Sequence, residues 1–165
     1  MAHALATVPT PAATPAERGL AAIGVLLSFD LYSRANDLRK ALISELRPPV
    51  ASQPGSAGVW TLTLYPTTQQ ETSKTRTQDE TISIGASNKR RAWVRQLCRP
   101  LKQHCPSDKR LLCLSIKRYL QLFHLGRQLA QLPVSNPHRL RHGGASADGL
   151  LTSVVQLSDL DIAAR

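Results

Sequence analysis

The residues best suited to chemistry lie close together in Pro137-His138-Arg139-Leu140-Arg141-His142-Gly143-Gly144-Ala145-Ser146. Residues three apart share a helix face, so His138 and Arg141 project together. Arg139 and His142 repeat that spacing on a face turned by about 100°. Pro137 suits the first position of a helix, where its missing N–H does no harm, and Asn136 or Ser135 can cap the turn. A His and an Arg at a helix N-terminus make a phosphate clamp. The guanidinium forks onto two oxygens, the imidazole donates a third bond, and the helix end adds positive potential. Gly143, Gly144, Ala145 and Ser146 are weak helix formers as a group, which predicts a tight approach to another backbone. In a basic chain the same spacing also describes a plain solvated face, so the remaining residues must supply the other half of a site.

Two further cations stand at structural junctions. Arg34, in Tyr32-Ser33-Arg34-Ala35-Asn36-Asp37-Leu38, falls between two helical segments, where its side chain can leave the pair and enter a cleft; otherwise it is an exposed cation near a helix C-terminus. Lys74, in Ser73-Lys74-Thr75-Arg76, falls in the polar connection between two strand-like segments, where it can meet a nucleic-acid groove or simply keep a sheet edge soluble.

The elements that must hold these residues follow from periodicity. Leu20, Ile23, Leu26, Leu27 and Leu31 recur at helical spacing over 16–33, and the helix opens near Pro15-Ala16-Glu17. A second short helix carries Leu38, Leu42 and Ile43 and stops before Pro48-Pro49. Val59–Tyr65 and Glu80–Ile84 alternate and are rich in β-branched residues, so each reads as a strand. From Asn88 the chain is helical and basic, with Trp93, Val94, Leu97 and Leu101 on an apolar side and Pro106 at its end. A helix over 111–132 turns Leu112, Ile116, Tyr119, Leu120, Phe123 and Leu129 inward. Leu150, Leu151, Val154, Val155 and Leu157 read as core, and Ser158-Asp159 as the cap of a last helix. The fold class expected is mainly α with a small antiparallel β-hairpin or sheet, α+β. Residues 1–16, rich in Ala, Thr and Pro, read as a disordered lead-in, leaving one domain over 17–165.

Bulk properties bound the partner. A chain of 165 residues with net charge +10 calls for a polyanion, with nucleic acid first and an anionic surface second. Two Trp, three Tyr and two Phe are too few for a base-stacking single-strand binder. The longest apolar run, Leu20–Leu27, is too short to span a bilayer. Cys98, Cys105 and Cys113 cannot all pair with one another, which suits free thiols inside a cell. The adjacent His104 and Cys105 before Pro106 do not give a usual zinc spacing with the other thiols.

Taken together these residues resemble the catalytic domain of the tyrosine recombinase (phage integrase) family. Arg34, with an acid and a Leu three and four residues later, resembles its first-arginine box. Lys74 resembles its hairpin lysine, and His138-Arg139-Leu140-Arg141-His142 its His-x-Leu-Arg-His box. The resemblance implies a DNA breaking-and-rejoining fold in which Arg34, His138 and Arg141 bind the scissile phosphate. Lys74 would protonate the leaving 5′-hydroxyl, and His142 would orient its neighbours. A tyrosine would form a 3′-phosphotyrosyl link without metal or cofactor. Arg76, Lys89, Arg90, Arg91, Arg139 and His142 are then the expected DNA contacts. Double-stranded DNA and other recombinase protomers are the expected partners, with no membrane and no small-molecule substrate. The expected compartment is intracellular, the nucleus in a eukaryote or the nucleoid in a bacterium. Tyr32, Tyr65 and Tyr119 all precede His138, and the chain stops at Arg165 about where the family's His-or-Trp box, upstream of its nucleophilic tyrosine, would begin. The expectation is therefore a partial domain that binds DNA without cleaving it. A basic helical module contacting DNA or RNA phosphates, with no chemistry, is the alternative; its charges would spread along a surface and not converge.

Overall fold

A computed structural model of the chain describes residues 1–49, 59–66, 78, 80–85 and 93–155. The elements run α1 (Ala2–Thr7), α2 (Pro15–Asp30), α3 (Ala35–Lys40), a 3-10 turn (Ile43–Glu45), β1 (Leu46–Arg47), β2 (Val59–Leu64), β3 (Glu80–Gly85), α4 (Trp93–His104), α5 (Ile116–Leu129) and α6 (His138–Val155). Helices with a small antiparallel sheet make this the expected α+β class. Two compact units emerge. Among the described residues, one comprises Met1–Arg39 and residues 112–155; the other lies within Lys40–Leu111.

The Lys40–Leu111 unit contains the sheet, in the order β1-β2-β3, with both neighbouring pairs antiparallel. Trp60 and Leu62 lie opposite Ile84 and Ile82, and all four are buried. The alternate residues Thr81 and Ser83 are exposed, as the period-two pattern requires. Across the same ladder the Thr63 and Thr81 hydroxyls stand 3.3 Å apart. The helix expected to carry Leu42 and Ile43 toward Pro48 instead ends at Lys40. The amides of Ile43, Ser44 and Leu111 bond to the carbonyls of Lys109, Ser107 and Ala41, so the backbone here is satisfied by a distant segment and not by its own helix. Lys102 Nζ donates to the carbonyls of Ile43 and Ser44 at 3.0 and 3.2 Å, which makes this cation structural. Cys98 is buried among these elements, and burial pushes its thiol up to about 12.

The other unit is built on α2. Thr14 and Glu17 form a reciprocal capping box around Pro15, so this start was legible from the sequence. Residues 1–16 are not a disordered lead-in. Ala2–Thr7 is helical, and Leu5 is fully buried with its Cγ 2.5 Å from where a Cβ on Gly126 of α5 would sit. Burying one such leucine is worth about 1.5–3 kcal/mol, enough to hold a short helix that propensity alone would not. Arg18 Nη1 secures the connection by donating to the Val8 carbonyl at 2.7 Å.

Ser115 caps α5 by accepting from the Arg118 amide at 3.1 Å. The buried face of this helix is Tyr119, Leu122, Phe123 and Gly126. Ile116 and Leu120, expected inward, are exposed at 41% and 36%. The inward arc is set by where α1 and α2 press on α5, and it lies one step round from the expected one. Helix α6 packs on α2 through Gly144, as its small residues foretold: a Cβ there would run into the Phe29 carbonyl oxygen and lie 3.0 Å from the Tyr32 ring. The side chains of Leu150, Leu151, Val154 and Val155, the residue Leu157 and the expected last helix lie outside the described residues. Among the described residues no helix is long and apolar enough to cross a membrane.

Candidate functional site

Arg34, His138 and Arg141 line one cleft of about 220 Å³ with Ser33, Ala35, Ile116, Leu120, Asn136 and Pro137. All nine residues belong to the α2-based unit. Two cations separated by a hundred residues of sequence thus share a space with an imidazole.

The local folding that delivers Arg34 starts at the end of α2. Tyr32 adopts a left-handed backbone (φ 53°), a conformation that costs a non-glycine residue about 1–3 kcal/mol unless its surroundings hold it. The turn is held by buried Leu31 and Ser33 on either side and by the Tyr32 ring against Gly144. The Arg34 carbonyl accepts from the amides of Asp37 and Leu38 at 3.0 and 3.1 Å, so Arg34 opens α3 and does not close α2. Leu38, fully buried, anchors α3, and Arg39 Nη1 ties it to the Leu114 carbonyl at 3.3 Å, just before α5.

His138 and Arg141 arrive on α6. Asn136 caps that helix, its side-chain oxygen accepting from the Arg139 amide at 3.3 Å. The cleft therefore meets the N-terminal residues of two long helices, Ile116 of α5 and His138 of α6. A helix N-terminus carries positive potential.

That arrangement is electrostatically unfavourable as it stands. A helix N-terminus favours acids, yet the first turn of α6 holds none and carries His138, Arg139 and Arg141. Arg34 meets Asp37 at 3.9 Å, beyond hydrogen-bond distance, and its side chain is 41% exposed. Arg141 makes no hydrogen bond or ion pair among the described residues. An anion in the cleft would give these donors partners and offset both helix ends.

His142 does not pair with Arg139. Its Nε2 lies 3.1 Å from Nε2 of His138, and the rings meet edge-to-face at 4.7 Å between centroids. One ring must donate and the other accept, so the tautomers of the two rings are coupled. Arg139 is exposed and does not line the cleft. Lys74, Arg76, Lys89, Arg90 and Arg91 lie outside the described residues. Of the other cations in the basic stretch, Arg118 is engaged: its Nε and Nη2 donate to Glu17 at 2.7 and 2.9 Å, and Nη2 also reaches the Ala12 carbonyl.

None of the chain's three tyrosines lines the cleft. Tyr119 is buried in the core, and burial pushes its hydroxyl up to about 12. Sequence reasoning missed Ile116 and Leu120 as lining residues, since an apolar residue at helical spacing carries no mark of which arc is left uncovered. Compared with protein-family models, curated proteins and solved structures, the chain matches none.

Proposed function

We propose that the cleft binds a backbone phosphate of double-stranded DNA, with Arg34 and Arg141 forking onto its oxygens and His138 donating a further bond. In a strand-exchange reaction of the tyrosine-recombinase kind these groups would also stabilise the charge that builds on the phosphoryl oxygens. The observation that carries the reading is the convergence of Arg34, His138 and Arg141 on one cleft. The absence of acids from the first turn of α6 supports it, because such a helix start is stabilised by a bound anion. None of the three tyrosines lines the cleft, so the reading is one of phosphate binding and not of phosphotyrosyl chemistry.

The test is a titration of a short DNA duplex, followed by NMR of the His138 and His142 ring protons. Saturable shifts of both rings are expected. Arg141→Gln should weaken binding about tenfold or more, the scale of one charge-assisted hydrogen bond. Unshifted rings, or an unchanged affinity in the variant, would contradict the reading and leave a basic surface without a site.

A further inference from the structure

The cleft is more than a cluster of cations. Ile116 and Leu120 are one helical turn apart on α5 and among the larger apolar side chains left exposed, and both line the same space as Arg34, His138 and Arg141. Ala35 and Pro137 extend the apolar lining. Inorganic phosphate would find no use for such a wall, since every surface it presents is polar. Nor does an ion of five heavy atoms account for a cleft of about 220 Å³.

We propose that Ile116 and Leu120 seat the sugar next to the bound phosphate and select 2′-deoxyribose over ribose. This rests on the phosphate-binding reading of the same cleft. A deoxyribose presents its C2′ methylene to an apolar surface at no polar cost. A ribose would bring a 2′-hydroxyl against two side chains that offer neither donor nor acceptor, losing its hydration without replacement. The cations hold any phosphodiester, and the α5 wall discriminates between the sugars on either side of it. Selectivity and affinity thus reside in different elements.

The two roles separate experimentally. Thymidine dinucleoside monophosphates with deoxyribose or with ribose sugars differ only in their 2′-hydroxyls, and both can be titrated into the full chain by NMR, with inorganic phosphate as a third probe. The wild-type chain should bind the deoxy form on the order of tenfold more tightly than the ribo form. Leu120→Asn and Ile116→Asn place a polar side chain at positions 36% and 41% exposed and, with circular dichroism showing the parent's helix content, should bring the ratio close to one. Arg141→Gln should weaken all three probes and leave the ratio intact. Equal wild-type affinity for the two dinucleotides, or a ratio unmoved by both α5 variants, would overturn the proposal while leaving the phosphate site standing. Failure of Arg141→Gln to weaken any probe would remove the phosphate site and this proposal with it.

Discussion

At the scale of single residues, Gly144 decides more than any cation. It lets the Phe29 carbonyl and the Tyr32 ring reach the backbone of α6, and that contact sets where His138 and Arg141 stand relative to Arg34. A methyl group here meets backbone, which cannot rotate away. Gly144→Ala should destabilise the fold by about 1–3 kcal/mol in urea denaturation, the usual scale of overpacking. Gly19, beside which no atom lies within 4 Å of a would-be Cβ, is the control and should tolerate Ala. Equal stability of Gly144→Ala and the parent chain would show that the α2–α6 crossing is not as tight as described. The demand for a small residue at 144 was legible in the sequence; its partner was not, because nothing local names Phe29. The pairing of His142 with His138 was hidden differently: spacings of three and four both permit contact, and the rotamers that choose between them depend on the rest of the cleft.

At the scale of elements, strong local signals survived and packing decided the remainder. The start of α2 near Pro15 and the alternating strands are local in origin and appear where the sequence puts them, and of the two caps offered for α6 the structure uses Asn136. The buried arc of α5, the order of α1 and the end of α3 depend on contacts between distant segments, and each departs from expectation. The Glu17–Arg118 pair links the start of α2 to α5 and gives this level a pH signature. Hydrogen bonds from Arg118, then from the Thr14 amide, hold the Glu17 carboxyl down from 4.5 to about 2. A lowered folded-state value means the unfolded chain takes up the proton first. The pair's contribution is therefore complete above about 4.5 and is lost as pH falls through about 2. Urea denaturation at pH 6 should show Glu17→Gln less stable than the parent, with the gap closing as pH falls from about 4.5 to about 2. Both partners are half-buried at the surface, still open to solvent and ions, so the gap should be small and should shrink in salt. A gap independent of pH would show that Glu17 acts through packing and not through its charge.

At the scale of the whole molecule, the net charge of +10 was legible at once, whereas its division of labour was not. Arg118 and Lys102 are committed to internal bonds, while Arg99, Lys109 and Lys117 remain exposed. DNA affinity should fall linearly on a log–log plot against salt, with a slope of about −0.9 for each phosphate neutralised. Fluorescence anisotropy across a salt series measures that slope, and because Arg34 and Arg141 share one phosphate, Arg34→Gln and Arg141→Gln combined should reduce its magnitude by about one. A slope indifferent to both substitutions would place the DNA elsewhere on the protein.

The most direct measurement is a double-mutant cycle on DNA binding with Arg34→Gln, Arg141→Gln and the two combined. If both guanidiniums grip the same phosphate, the double variant should be weakened less than the product of the two single effects, with a coupling of about 0.5–3 kcal/mol. Simple multiplication of the two losses would mean that the arginines act on separate anions, and the shared site would be contradicted.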